Sequence, residues 1–86
     1  MKIKDIFEEE LIGTDIVMVS LDSAVLNGIM RANETASYII SCLKNETTEK
    51  LIISSVCNKY NVSEELARKG VVKILSQLRE LNLIDE

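Results

Sequence analysis

The apolar residues of this chain change period once, at Asn33, and that single change leaves few folds open. Before it, short β-branched runs are interrupted by turn formers. After it, apolar residues recur every three or four positions, the spacing of helices that bury one side. Strands followed by helices, in one short chain, predict an α+β arrangement.

In residues 1–33 the run Ile16-Val17-Met18-Val19 is strongly β-prone and bounded by small or polar residues, so it predicts a strand. Gly13-Thr14-Asp15 precedes it as a turn. Ile6 to Ile12 reads as a partner strand, although Glu8-Glu9-Glu10 suits a helix start equally well. Leu21–Leu26 is expected to be a loop, with room for one helical turn. Asn27-Gly28 is a tight-turn dipeptide, and Ile29-Met30-Arg31-Ala32 after it predicts a third short strand.

Asn33 then caps a helix whose apolar side is Ala36, Ile39, Ile40 and Leu43. Thr47 or Thr48 caps a second, carrying Ile52, Ile53, Val56, Cys57 and Tyr60. Ser63 caps a third, where Glu64 and Glu65 in the first turn suit the helix dipole. Its stripe is Leu66, Ala67, Gly70, Val71, Ile74, Leu78 and Leu81. Asn82 is suited to the left-handed conformation that ends a helix, letting Leu83-Ile84 fold back. The predicted architecture is a winged helix-turn-helix, three short N-terminal strands within 6–33 and three helices within 34–82, forming one domain over 1–86.

Composition narrows the chemistry. The 86 residues include no His, so the usual neutral-pH acid–base group and commonest metal ligand are missing. Cys42 and Cys57 form no CxxC pair, and unpaired thiols fit a reducing, cytoplasmic setting. No apolar run is long enough to span a membrane. A net charge of −4 speaks against general nucleic-acid binding. The expectation is a non-catalytic binding module without cofactor or metal.

The string Asn27-Gly28-Ile29-Met30-Arg31-Ala32-Asn33-Glu34-Thr35-Ala36, with Ile39-Ile40 and Leu43, resembles the "NG-x-x-x-LNET-x-x-x-IW-x-x-L" stretch of the PqqD-like family. The resemblance continues through Thr47-Thr48-Glu49 and Tyr60-Asn61-Val62-Ser63-Glu64-Glu65. It ends at Leu78-Arg79-Glu80-Leu81-Asn82-Leu83-Ile84, similar to the family's "L-x-x-x-GLI" close, and so covers roughly residues 7–86. Ala32, Ile40 and Asn82 depart from the family's Leu, Trp and Gly. What the resemblance implies is a RiPP recognition element, a peptide chaperone of the pyrroloquinoline quinone type. Such a domain holds the leader of a ribosomally made precursor peptide for a modifying enzyme, often a radical-SAM protein. The leader would add as a strand beside the third strand, against the third helix.

The residues support that mode in their own right. Gly28, Ile29, Met30, Arg31 and Ala32 carry no Pro, Lys or bulge signal to protect an exposed strand edge. On the third helix Val72 falls off the apolar stripe between Arg68 and Arg79, with Leu75 at the border, a plausible wall for an apolar and acidic peptide. Residues 63–82 hold four cations against three acids, while residues 1–27 hold two against six. The same edge leaves a monomer and a weak or domain-swapped homodimer both open.

Two other classes fit parts of the chain. A winged-helix DNA-binding regulator would use Arg68, Lys69 and Lys73 on phosphates. An acyl or peptidyl carrier protein would use Ser23, within Leu21-Asp22-Ser23-Ala24, as its phosphopantetheine site.

Overall fold

The computed structural model describes residues 1–25 and 28–86. In chain order it contains β1 (Lys2–Ile3), β2 (Phe7–Ile12), β3 (Asp15–Ser20), β4 (Ile29–Ala32), α1 (Glu34–Cys42), α2 (Glu49–Tyr60), α3 (Glu64–Glu80) and β5 (Ile84–Asp85). The α+β winged arrangement is as expected, and β2, β3 and β4 are the three strands read from the sequence. The short β1 and β5 are additions, since two residues are too few to show any alternation. The Asn27 half of the expected turn, and Leu26, lie outside the described residues.

Strands β2, β3 and β4 form an antiparallel sheet in that order. The ambiguous segment before Gly13 is a strand because the hairpin chemistry decides it. Gly13 has φ +65° while Thr14 stays at negative φ, the pattern of a type II′ turn whose twist suits a two-residue hairpin. That turn pairs Ile12 with Asp15 and sets every later pair, through Phe7 opposite Ser20. Gly28, opposite Ser20 just before β4, is favoured for a different reason. A Cβ there would lie 3.1 Å from Ser20 Cβ.

Each helix begins at an expected cap, and of the two candidates for the second it is Thr48, not Thr47, that serves. The side chains of Asn33, Thr48 and Ser63 accept hydrogen bonds from the amides of Ala36, Leu51 and Leu66. Asn61 and Asn82 take left-handed φ values of 52° and 56°, ending α2 and redirecting the chain after α3. After Asn82, Leu83 N–H donates back to Leu78 O at 2.9 Å, and Leu83 becomes fully buried.

One apolar cluster unites sheet and helices. Met18 and Met30 from the sheet meet Ile39, Ile40 and Leu43 of the first helical segment, Ile52 of α2, and Val71, Leu75 and Leu78 of α3. Ala32 and Ile40, two of the three departures from the family pattern, are both in this core. Antiparallel β1 and β5 close the molecule, with Ile3 N–H bonded to Leu43 O and Lys4 N–H to Leu83 O.

Candidate functional site

The geometry of β4 follows from one hydrogen bond. Ser20 N–H donates to Gly28 O at 2.7 Å, so Gly28 and Ser20 are a bonded pair. Antiparallel ladders alternate bonded and non-bonded pairs. With Met30 opposite Met18 and Ala32 opposite Ile16, those residues also turn their backbone groups toward β3. The N–H and C=O groups of Ile29 and Arg31 therefore face the other way. Among the described residues no strand pairs with β4 on that side.

Side chains alternate as well. Met30 and Ala32 are buried and anchor β4, whereas Ile29 is 68% exposed and Arg31 is exposed. Arg31 Nε holds Asp15 Oδ2 at 2.9 Å. The five strand residues expected at the site thus come together, but divide their work. Gly28 permits the close approach, Met30 and Ala32 hold the strand, and Ile29 and Arg31 present the open edge.

The open edge faces α3 across a groove. One part, of about 250 Å³, is lined by Ile29, Met30 and Arg31 with Gln77, Glu80 and Leu81. The next, of about 290 Å³, joins Arg31 and Asn33 to Gly70, Lys73, Ile74 and Gln77. Thr35, Ile39 and Gly70 then lead into an apolar pocket of about 450 Å³ with Val56, Tyr60, Val62 and Leu66. The hydroxyl of Tyr60 is buried there without a hydrogen-bond partner among the described residues. Gly70 has open space where a Cβ would stand, so a ligand backbone can approach α3 closely at that point.

The helix residues expected at the site are not in this groove. At about 100° per residue, Arg68, Val72 and Arg79 lie on the flank of α3 opposite Gly70, Ile74 and Gln77. Arg68 donates to Glu64 at 2.7 Å and borders a cleft with Glu49, Ile53 and Cys57 of α2. Arg79 donates to Glu86 at 2.7 Å. That bond raises the Arg79 pKa and holds the Glu86 carboxyl below its usual range. Val72 is 45% exposed on the outer surface, and Leu75 is fully buried in the core. The expected stripe, from Leu66 to Val71, spans about 140° of the helix. Its Ala67–Val71–Leu78 side, with Leu75, meets the core, as do Leu81 and in part Ile74. The Leu66–Gly70–Ile74 side faces the groove, and that excess width was the signal for the groove residues Gly70, Lys73, Ile74 and Gln77.

The rival readings lose their geometry. Arg68 and Lys69 each pair with a glutamate one turn earlier, which weakens the cationic face that phosphate binding needs. Ser23 lies in a turn between β3 and β4, not at the start of a helix. Among the described residues there is no cluster of metal-ligating side chains, and no helix is long and apolar enough to cross a membrane.

A small winged-helix domain with an open strand edge set against a helix groove is the class this fold defines. The chain belongs to the PqqD family: the family described as Coenzyme PQQ synthesis protein D (PqqD) matches residues 15–84. Among solved structures, it is similar to one described as TbiB1 in complex with the TbiA(beta) leader peptide. The TM-score is 0.77 at 21% identity, covering 99% of this chain and 95% of that one. No curated protein sequence matches the chain significantly.

Proposed function

We propose that this chain is a non-catalytic, cytoplasmic module that binds the leader of a ribosomally made precursor peptide and presents it to a modifying enzyme. The observation that carries this reading is the open edge of β4 facing the α3 groove. Membership of the PqqD family and the fold shared with a protein solved with a leader peptide agree with it.

The leader adds to β4 as a further strand, bonding to the N–H and C=O groups of Ile29 and Arg31. Four main-chain bonds, each worth about 0.5–1.5 kcal/mol net, fall short of the roughly 8 kcal/mol of micromolar binding. The remainder has to come from side chains buried in the groove against Ile74, Gln77 and Gly70. Gly70 and Gln77 are separated by about 10 Å along α3, which an extended peptide covers in about three residues. A bulky apolar side chain on the groove face of the peptide, two or four positions from the one beside Gln77, therefore reaches towards the pocket at Tyr60.

Titration of a synthetic leader, followed by amide shifts, tests the reading. Shifts should gather at Ile29–Ala32 and at Gly70, Ile74 and Gln77. Shifts confined to the Arg68–Val72–Arg79 flank would overturn it.

A further inference from the structure

The outer face of the sheet, the one turned away from the helices, carries a second surface. Its residues follow from the register. Met18, Met30 and Ala32 point into the core, so their neighbours Val17, Val19, Ile29 and Arg31 point outward. Across the hairpin, Glu8 is opposite Val19 and Glu10 is opposite Val17, placing both carboxylates on this face. Glu9, between them, points the other way and meets Lys44 Nζ at 3.4 Å.

No helix among the described residues is seen to cover this face. Ile29 is 68%, Ile12 47% and Val19 39% exposed, and Val17 lies between them. Exposed β-branched side chains in adjoining strands form an apolar centre that water solvates poorly. The acids Glu8 and Glu10 border it on one side, while among the described residues of this face the cation Arg31 is already held by Asp15. A second copy of this chain would bring the same acidic excess, Glu8, Glu10 and Asp15 against Arg31, and leave the joined faces with uncompensated negative charge. The complementary occupant is a protein surface with an apolar centre and at least two Lys or Arg opposite Glu8 and Glu10.

We infer that this outer sheet face is where the peptide-modifying enzyme docks, through such a basic-rimmed apolar patch. The inference rests on the leader-binding reading and extends it. Ile29 belongs both to this face and to the open edge. A peptide strand added to β4 would enlarge the same face by every second side chain, so peptide and enzyme should bind with positive coupling.

The test uses the full chain, a synthetic leader, and the purified enzyme that modifies that leader's precursor. Two variants are made on the outer face at residues outside β4: the double reversal Glu8→Lys/Glu10→Lys, and Val19→Ser. A matched control, Glu34→Lys/Glu65→Lys, changes the net charge equally elsewhere. Circular dichroism melts check that each remains folded. Each outer-face variant should bind the enzyme at least about tenfold more weakly, with leader affinity within about twofold of the parent. The control should match the parent. Unchanged enzyme binding in both outer-face variants, an equal loss in the control, or a parent that does not bind the enzyme would overturn the docking site. A dimer in sedimentation that both outer-face variants dissolve would overturn it in favour of self-association. Failure of the parent to bind leader would instead sink the leader-binding reading, and the separate peptide titration shows which has failed.

Discussion

The two edges of the three-stranded sheet are built from the same backbone and differ in almost everything else. On β2 the outward N–H and C=O groups belong to Phe7, Glu9 and Leu11, because Leu21 N–H bonded to Ile6 O fixes the opposite phase for the pairs with β3. Three successive glutamates run along that strand, and every residue from Glu8 to Ile12 is exposed. On β4 the outward groups of Ile29 and Arg31 have no acid beside them in the strand, and α3 supplies a wall. Charge on an edge discourages strand addition, whereas a wall rewards it. An open edge is therefore insufficient for recognition. The second surface beside it selects.

The largest effect expected from this contrast separates inward from outward amides. Met30→Pro removes a donor that faces β3 and should cost about 3 kcal/mol or more, enough to unfold a domain of this size in thermal melts. Arg31→Pro removes a donor that faces the groove. It should leave a folded domain whose leader affinity falls by at least about thirtyfold in calorimetry. Glu9→Pro makes the equivalent change on the β2 edge and should leave affinity within about twofold. If it weakens binding as much as Arg31→Pro, the two edges are not distinct.

Next come the two flanks of α3. Leu75→Ala should lower stability by about 2–5 kcal/mol in denaturant titration, because it empties a core position. Val72→Ala should change stability by less than about 0.5 kcal/mol. Gly70→Ala should have opposite effects on stability and binding. It should stabilise the helix by up to about 1 kcal/mol, yet weaken leader binding by placing a methyl in the groove. Lys73→Glu should weaken an acidic leader severalfold, while Arg68→Glu, on the far flank, should not.

The smallest effect concerns the base of the loop before β4. Asn82 Nδ2 donates to Asp22 Oδ2 at 2.6 Å, and this bond, with that from Ala24 N–H, holds the Asp22 carboxyl below its ordinary value. A lowered folded-state pKa contributes stability above the ordinary carboxylate value and loses it as pH falls through the shifted one. Asp22→Asn should therefore flatten slightly the acid limb of the stability curve, as melts below about pH 5 would show.

Much of this was legible in the sequence. The helix caps could be read, the second to within Thr47 or Thr48, because a cap is local, one side chain serving one nearby amide. Asn82 was readable for the same reason. The strand Ile29–Ala32 could be placed, but not which of its amides faced outward, since that depends on a bond to Gly28 from Ser20. The helix flank read from the sequence is the one turned away from the groove, because rotation about an axis is set by contacts with Met18, Ile39 and Leu43, far away in sequence. A stripe as wide as that of α3 signals two partners, and composition alone does not say which half meets which.

The pairing of Lys2–Ile3 with Ile84–Asp85 has a mechanical consequence. Both ends of the chain leave from the same side of a two-residue antiparallel ladder. Pulled apart at those ends, such a ladder opens one bond at a time, like a zip, and gives little resistance. The clasp should yield at low force while the Met18–Leu75 core still holds. A tether at both ends would thus lengthen in a small first step without releasing whatever lies along β4.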